Sequence, residues 1–272
     1  MNILPFLLNN TIIKDIIKED NIKIGGTCDE FNMMMLACDF FQGNSSIFVV
    51  LPNLYTAQKY YDQLLGFIPD EYVLFFPADE LVSAEMIAAT GDFLFERIQT
   101  IYSLLLNEKR IVVTNLHGLI KYEFPRNVWE YSIFSVRKGT CIEIKDLLDR
   151  LVKVGYEPVY TITKTGEFSR RGSIVDIFPL GYERPVRLDF FGDEIETIKY
   201  FNMDTQRSVE EIMSVNILPV TEFIYDDMEF KDAKRKILNF IDSYKLSPLE
   251  EEMINKDLSS LENHQNLLGL SR

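Results

Sequence analysis

The first 120 residues alternate short apolar runs with longer segments in which apolar residues recur at helical spacing. The runs 47–51, 72–76 and 111–114 are predicted to be strands that are buried on both faces, because four or five consecutive apolar residues are typical of such strands. Residues 54–65 and 92–106 carry an apolar residue every three or four positions, which predicts helices. Buried strands that alternate with helices predict an α/β fold with a parallel sheet.

After about residue 121 the pattern changes to one helix among many strands. Residues 144–154 are predicted to form a helix that stops at Gly155. Residues 185–191 alternate apolar and polar positions, which predicts a strand with one buried face. Gly192 and Asp193 are predicted to turn the chain, with 195–201 returning as the partner strand. The residues expected to face the core are Leu147, Leu148, Leu151, Val186, Leu188 and Phe190.

The remaining residues predict a helical, acidic tail from about residue 228 to residue 272. The chain ends without an obvious helix stop signal, from which we expect it to be a fragment of a longer protein. No internal repeat or low-complexity tract is visible.

Composition and charge narrow the class of protein and of partner. The 272 residues are 47% hydrophobic and 26% charged, as in an ordinary globular protein. The 28 Lys and Arg residues face 42 Asp and Glu residues, so the net charge is −14. Because each neutralised phosphate needs a Lys or an Arg, this balance argues against tight binding to nucleic acid and favours a protein partner.

The reactive residues indicate neither a metal centre nor a catalytic triad. Cys28, Cys38 and Cys141 are odd in number and contain no CxxC pair, and His117 and His264 are far apart in the sequence. The start of the chain lacks the features of a signal peptide, and no run approaches 18 apolar residues. These observations predict a reduced, cytoplasmic protein that holds no metal.

An incomplete phosphate loop stands at residues 22–31, where a strand is predicted to lead into a helix. Gly25, Gly26 and Thr27 are present, but no Gly-Lys-Ser/Thr occurs anywhere in the chain. Asp29 and Glu30 stand at the predicted helix N-terminus, where a bound phosphate would have to lie. Thr27 and Glu30 have capping-box spacing, which predicts a helix that caps itself and binds no nucleotide.

Two further candidates have structural explanations. Asp79 and Glu80 could suggest an acidic Mg²⁺-binding motif, but they follow Phe76-Pro77-Ala78 rather than a buried strand, which favours a solvated loop. His117 follows a predicted strand with no second metal ligand nearby, which favours a capping or packing role.

The second half of the chain holds a candidate protein-binding face. Residues 164–191 carry five basic and four acidic side chains, so this window is net +1 within an acidic chain. Arg187 and Phe191 share the strand face opposite the predicted core, about 13 Å apart at ~3.3 Å per residue. Exposed arginine beside exposed aromatic residues is enriched at protein interfaces. A solvated Arg187 with Phe191 packed under the turn is an equally good explanation of the pattern.

Four motifs in this half resemble the UvrB-type interaction module of bacterial nucleotide excision repair. They are GEF at 166–168, RGSIVDIFP at 171–179, PVRLDFFGDEI at 185–195 and DTQRS at 204–208. Two groups share such a module, UvrB itself and the N-terminal region of the transcription-repair coupling factors, known as Mfd. The incomplete phosphate loop, the absence of a tyrosine-rich DNA-clamping hairpin, and residues 75–81, 84–85 and 97–98 favour the second. The resemblance covers roughly residues 20–225.

The resemblance implies a UvrB mimic that recruits UvrA and catalyses nothing. Its domains would be a degenerate P-loop-NTPase-like α/β lobe at 1–121, an inserted β-rich α+β module at 122–210 that binds UvrA, and a return segment with a helical tail at 211–272 that completes the first lobe. By motif position the UvrA contacts would be Arg171, Arg187 and Phe191.

The resemblance also implies what lies outside this chain and which alternatives compete. RNA polymerase, double-stranded DNA, ATP and Mg²⁺ would be bound by other domains of a longer parent, an ATP-driven DNA translocase, and this chain would need no cofactor. The alternative is a fragment of a UvrB-type ATP-dependent DNA helicase, against which the missing Gly-Lys-Ser/Thr counts. A module that binds DNA directly ranks third, because the net charge of −14 opposes it.

Overall fold

The computed structural model describes residues 23–78, 93–225, 227–241 and 247–262. By internal contacts these residues divide into two compact units. The first unit holds residues 23–78 and 99–122, and the second holds 93–98 and 123–262. Within the described ranges, no helix is long and apolar enough to cross a lipid bilayer.

The first unit is built on a parallel sheet of three strands, in the order β1-β3-β2. Its strands are β1 (Ile47–Leu51), β2 (Val73–Phe76) and β3 (Ile111–Asn115). The helices between and around them are α1 (Asp29–Gln42), α2 (Leu54–Leu64), α3 (Leu94–Leu105), whose residues 94–98 are counted with the second unit, and the short α4 (Leu116–Ile120). The predicted α/β class with a parallel sheet is confirmed.

The three strands differ in how deeply they are buried. The central strand β3 is buried at every residue, as predicted. The prediction that all three strands are buried on both faces is wrong for β1, because the side chains of Phe48 and Val50 are exposed. The exposed residues alternate along β1, so they share one face of the strand, and that face is left uncovered at β1 but not at β2.

Polar side chains fix the ends of elements in the first unit. The Asn53 side chain accepts a hydrogen bond from the Thr56 amide at 2.8 Å, and the Thr56 hydroxyl lies 3.4 Å from the Asn53 amide, so a capping box starts α2. The Thr100 hydroxyl of α3 donates to the Phe75 carbonyl of β2 at 3.1 Å. These bonds satisfy backbone groups that strand and helix ends leave open.

The second unit contains an antiparallel meander extended by one parallel strand, in the order β10-β9-β8-β7-β6-β5. Its strands are β5 (Glu157–Pro158), β6 (Glu167–Arg171), β7 (Ile174–Ile177), β8 (Val186–Phe191), β9 (Glu194–Phe201) and β10 (Ser208–Glu211). A second sheet pairs β4 (Phe134–Arg137) with β11 (Ser214–Ile217). The helices are α5 (Arg126–Ser132), α6 (Ile144–Lys153), α7 (Asp227–Ile241) and α8 (Pro248–Glu262).

The core of the second unit lies between one face of the six-stranded sheet and helix α6. Leu147 and Leu151 of α6 are fully buried there, and Leu148 packs at the margin. The predicted helix and the predicted hairpin across Gly192 and Asp193 are both confirmed. The buried cluster takes residues from Val136 to Val220, so β11 and the chain beyond it also pack in this core. The predicted domain boundaries themselves stay predictions.

A buried ion pair joins α3 to the segment after β11 within the second unit. The Arg97 guanidinium donates two hydrogen bonds to the Glu222 carboxylate, at 2.7 Å from Nε and 2.9 Å from Nη2. Both side chains are almost inaccessible to water. Removing one member would leave the other charge buried without its ionic partner.

We expect Glu222→Ala to lower the free energy of unfolding by about 3–5 kcal/mol, because the buried Arg97 guanidinium would lose the carboxylate that accepts two of its hydrogen bonds. Chemical denaturation followed by circular dichroism measures this loss. Glu211→Ala is the matched control, since its partner Lys138 and Glu211 itself are both accessible to water and such pairs contribute little. An equally small loss in both variants would contradict a structural role for the buried pair.

Candidate functional site

The six-stranded sheet has one closed face that packs in the core and one face that is partly covered, with its exposed residues at one end. On the closed face, Val175, Leu188 and Ile198 lie in one row across three strands and belong to the core. Side chains alternate along a strand, so the neighbouring positions point to the other side. We call that side the outer face, and its residues are Ser169, Arg171, Ile174, Asp176, Arg187, Asp189, Phe191, Glu194, Thr197, Lys199 and Phe201.

Arg187 lies near the centre of the outer face and is held in a two-pronged ion pair. Its Nε and Nη2 donate to the two carboxylate oxygens of Asp176 at 2.7 and 2.9 Å. Its Nη1 donates to the Gln206 carbonyl at 3.1 Å, and its guanidinium carbon lies 4.5 Å from the centre of the Phe201 ring. The hydrogen bonds that Arg187 donates to Asp176 raise the pKa of Arg187 and favour its charged form.

The predicted exposure of Arg187 is therefore corrected. Only 15% of its side chain is accessible to water, and its partner Asp176 is 2% accessible. The reason is the register of the hairpin, which sets Asp176 of β7 directly opposite Arg187 of β8. A carboxylate buried in a sheet needs a cation beside it, and Arg187 supplies that cation.

Phe191 lies at the exposed end of the same strand. It is the last residue of β8, and 78% of its side chain is accessible, so the explanation that it packs under the turn is wrong. The turn that follows takes Gly192 at φ +63°, a conformation that glycine adopts without strain. The tight hairpin keeps this large apolar ring on the surface.

Arg171 lies at the same end of the sheet as Phe191. It closes β6 and is exposed, and its cross-strand neighbours on the outer face are Ile174 and, one strand further, Asp189. The hairpin turns after Arg171 and after Phe191 lie at the same end of the strands, because β6 and β8 run in the same direction.

The structure distinguishes the two consecutive arginines that composition leaves equivalent. Arg170 uses its Nε to hold the carbonyl of Gly172 in the turn, at 3.1 Å. Across the described residues, the Arg171 guanidinium has no ion pair and no hydrogen bond. Of the two, Arg171 is the cation that is free to meet a partner.

A buried carboxylate explains the GEF motif at 166–168. Glu167 accepts hydrogen bonds from the amides of Thr163 and Lys164, at 2.6 and 3.0 Å. Burial alone would raise the pKa of Glu167, but these hydrogen bonds outweigh burial and lower it. Gly166 adopts φ +87°, which lets the chain enter β6 directly after this loop.

The glycine pair of the incomplete phosphate loop lies in an irregular stretch before α1. Gly25, Gly26 and Thr27 are all exposed. Lys23 and Ile24 form no strand, so the predicted strand before the loop is wrong for these residues. A phosphate loop depends on a strand that delivers its glycines to a helix N-terminus, and the described residues contain no such strand here.

The predicted capping box of Thr27 and Glu30 is also wrong. Helix α1 begins at Asp29 with Cys28 at the N-cap position, one residue later than the spacing predicts, and Cys28 makes no capping hydrogen bond with its side chain. The Thr27 hydroxyl donates instead to the Asn32 side chain at 2.8 Å. The backbone amide of Glu30 and the Cys28 thiol lower the pKa of the Glu30 carboxyl, so this helix start carries negative charge.

Asn115, which sequence reasoning missed, does the capping work considered for His117. Its side chain accepts hydrogen bonds from the amides of Gly118 and Ala78, at 3.2 and 3.1 Å, and donates to the Ala78 carbonyl at 2.7 Å. His117 is exposed in α4. The signal was available, because Asn directly before a helix is a strong N-cap. Asp79, Glu80 and His264 lie outside the described residues.

The sequence of this chain matches the model of a known protein family. The family model described as "UvrB interaction domain" matches residues 134–223, the stretch that contains all eight strands from β4 to β11. Residues 134–223 are therefore similar to the UvrB interaction domain, and we refer to them by that name below. The domain thus includes the outer face with Arg171, Arg187 and Phe191.

Two relatives extend the likeness beyond the UvrB interaction domain. The chain is 40% identical over 194 residues to the transcription-repair-coupling factor of Bacillus subtilis, which covers 71% of this chain and 16% of that protein. It is 30% identical over 240 residues to the one from Staphylococcus aureus strain Mu50, which covers 84% of this chain and 20% of that protein. The chain thus spans at most a fifth of these relatives, and its resemblance to their UvrB-like region is confirmed.

We expect Arg187→Glu to destabilise the UvrB interaction domain by about 3 kcal/mol or more, because a second carboxylate would face the buried Asp176. Arg171→Glu makes the same charge change at an exposed position and is expected to cost less than about 0.5 kcal/mol. Chemical denaturation of both variants measures the difference. Equal stability of the two would contradict the structural role given to the Arg187–Asp176 pair.

Glu167 gives the stability a predictable dependence on pH. Its pKa is lower in the folded than in the unfolded state, so its contribution is present above the unfolded value of about 4.3 and is lost as the pH falls through the lower folded value. We expect wild type to exceed Glu167→Gln in free energy of unfolding at pH 7, with the gap narrowing towards pH 3. Denaturant titrations at several pH values measure the gap, and a gap independent of pH would refute the assignment.

Proposed function

We propose that this chain is a non-catalytic module that recruits UvrA for a transcription-repair coupling factor. In this role it would link a stalled RNA polymerase to nucleotide excision repair of DNA. The proposal is supported by the UvrB interaction domain at 134–223 and by the likeness to two transcription-repair-coupling factors. The observation that carries it is the position of Phe191, a 78% exposed aromatic ring on the outer face of that domain.

Phe191 and Arg171 form the first contact element of the proposed UvrA-binding surface. A large ring held on a tight turn loses little conformational freedom when it is buried, and aromatic residues are enriched among the residues that dominate binding energy. Arg171 brings an unpaired cation to the same end of the sheet, where it would form charge-assisted hydrogen bonds with acidic groups of UvrA.

Arg187 belongs to the proposed surface in a different way. Its guanidinium is engaged by Asp176 and Gln206, so it has little donor capacity left for UvrA. We propose that it keeps the surface in shape beside Phe191 and Arg171. The role of all three residues towards UvrA is part of this proposal.

The first unit is proposed to be the degenerate NTPase-like lobe of a UvrB mimic. The carboxylates of Asp29 and Glu30 occupy the first turn of α1, and an anion would be repelled there. ATP, Mg²⁺, RNA polymerase and double-stranded DNA would be bound by other domains of the longer protein. A UvrB-type helicase fragment is the alternative, and a rise in melting temperature with ATP would revive it.

Titration calorimetry of this chain with UvrA tests the proposal. We expect wild type to bind and Phe191→Ala to lose about 1–3 kcal/mol of binding free energy, since the ring is the exposed apolar anchor. Circular dichroism should be unchanged, because Phe191 makes no contribution to the buried core.

Met213→Ala is the matched control for the loss of an exposed apolar side chain. Met213 is 71% exposed in the same domain and belongs to the connection between β10 and β11, not to the β8–β9 hairpin. The Met213→Ala variant should bind UvrA with the affinity of the wild type. Absence of binding by wild type, or equal affinity of wild type and Phe191→Ala, would refute the proposed function.

A further inference from the structure

Arg187 connects the sheet to the loop between β9 and β10. This loop, residues 202–207, contains the DTQRS motif, for which the proposed function has no role so far. Arg187 Nη1 donates to the Gln206 carbonyl at 3.1 Å, and Nη2 lies 3.4 Å from the Gln206 side-chain oxygen. The cation that neutralises Asp176 therefore also sets the position of this loop.

The loop is held in a single, strained conformation. Gln206 has φ +58°, in the left-handed region that residues other than glycine rarely adopt. The Asn202 side chain accepts from the Thr205 amide at 2.8 Å, and the Gln206 side chain donates to the Met203 carbonyl at 2.8 Å. Backbone strain of this kind persists only where the surroundings enforce it, and it is concentrated at functional sites.

The rigid loop presents a basic residue to solvent. Arg207 follows the strained Gln206 and is exposed, and in the described parts of the chain its guanidinium has neither an ion pair nor a hydrogen bond. Arg187, which anchors the loop, and Phe191 are four residues apart on the outer face, about 13 Å at ~3.3 Å per residue. The loop thus lies at the end of the outer face opposite to Phe191 and Arg171.

The usual size of protein–protein interfaces indicates that UvrA would contact more of the domain than the end of the β8–β9 hairpin. Specific protein complexes bury about 800 Å² on each partner, which involves roughly 20–30 residues a side. Phe191 and Arg171 occupy only one end of the sheet. A surface that runs from this end of the sheet across the outer face to Arg207 adds contact area that these two residues alone do not supply.

We propose that the loop 202–207 is a second UvrA-contact element, in which Arg207 meets acidic groups of UvrA and Arg187 is the positioning residue that fixes the loop. This inference rests on the proposed function. It separates the two arginines by role, because Arg207 touches the partner and Arg187 acts through Gln206. The fork of a guanidinium is required, since a lysine ammonium is a single point charge that does not span Asp176 and Gln206 in the same geometry.

The test is a double-mutant cycle with Arg207→Ala and Arg187→Lys in the full chain, measured by calorimetry with UvrA. Each single variant is expected to bind about tenfold more weakly, and the double variant no more than about twofold below the weaker single, because both changes remove the same contact. Amide signals of residues 203–207 in NMR spectra should shift in free Arg187→Lys. Arg137→Ala removes an equally exposed arginine from β4 and should bind like wild type.

Several outcomes would overturn this inference. Wild-type affinity of Arg207→Ala would show that Arg207 makes no contact with UvrA. Additive losses in the double variant, or unchanged loop signals in Arg187→Lys, would show that Arg187 does not act through the loop. If wild type binds UvrA while any of these holds, the inference fails and the proposed function stands. If wild type does not bind UvrA, both fail together.

Discussion

The outer face of the UvrB interaction domain depends on one ion pair, the fork between Arg187 and Asp176. A carboxylate 2% accessible to water is costly unless a cation lies beside it, and the hairpin register places Arg187 directly opposite. The same guanidinium packs over the Phe201 ring and holds the Gln206 carbonyl. Arg187 therefore both neutralises the buried Asp176 and fixes the position of the neighbouring loop.

This arrangement divides the work between the two faces of the sheet. The closed face buries aliphatic side chains against α6, and that burial drives folding. An antiparallel sheet tolerates water on its other face, and here the exposed side chains of that face lie at the end with the β8–β9 hairpin. Although the chain as a whole has a net charge of −14, this face presents the exposed cation Arg171 at the end that holds Phe191, and the exposed Arg207 lies at the opposite end. Such local contrast within an acidic protein favours a partner with acidic groups of its own.

In the first unit, polar side chains recur at the helix starts. Its parallel strands are joined by helices, and side-chain caps such as Asn53 and Asn115 fix where those helices begin. At α1 the first turn carries Asp29 and Glu30 instead of an anion-binding loop. Negative side chains at a helix start are favourable, so this helix end is stabilised by its own residues.

Local patterns determined much of this protein. Periodicity and turn residues are properties of neighbouring positions, so β1, helix α6 and the hairpin at Gly192 and Asp193 were predictable, and long motifs identified the UvrB-type module. Contacts between residues that are distant along the chain were not predictable. Whether β1 has a covered face, which residue caps α4, and whether Arg187 points to water or to Asp176 depend on strand order and register. Only tertiary structure decides these, because burial and pairing arise from neighbours in space and not in sequence.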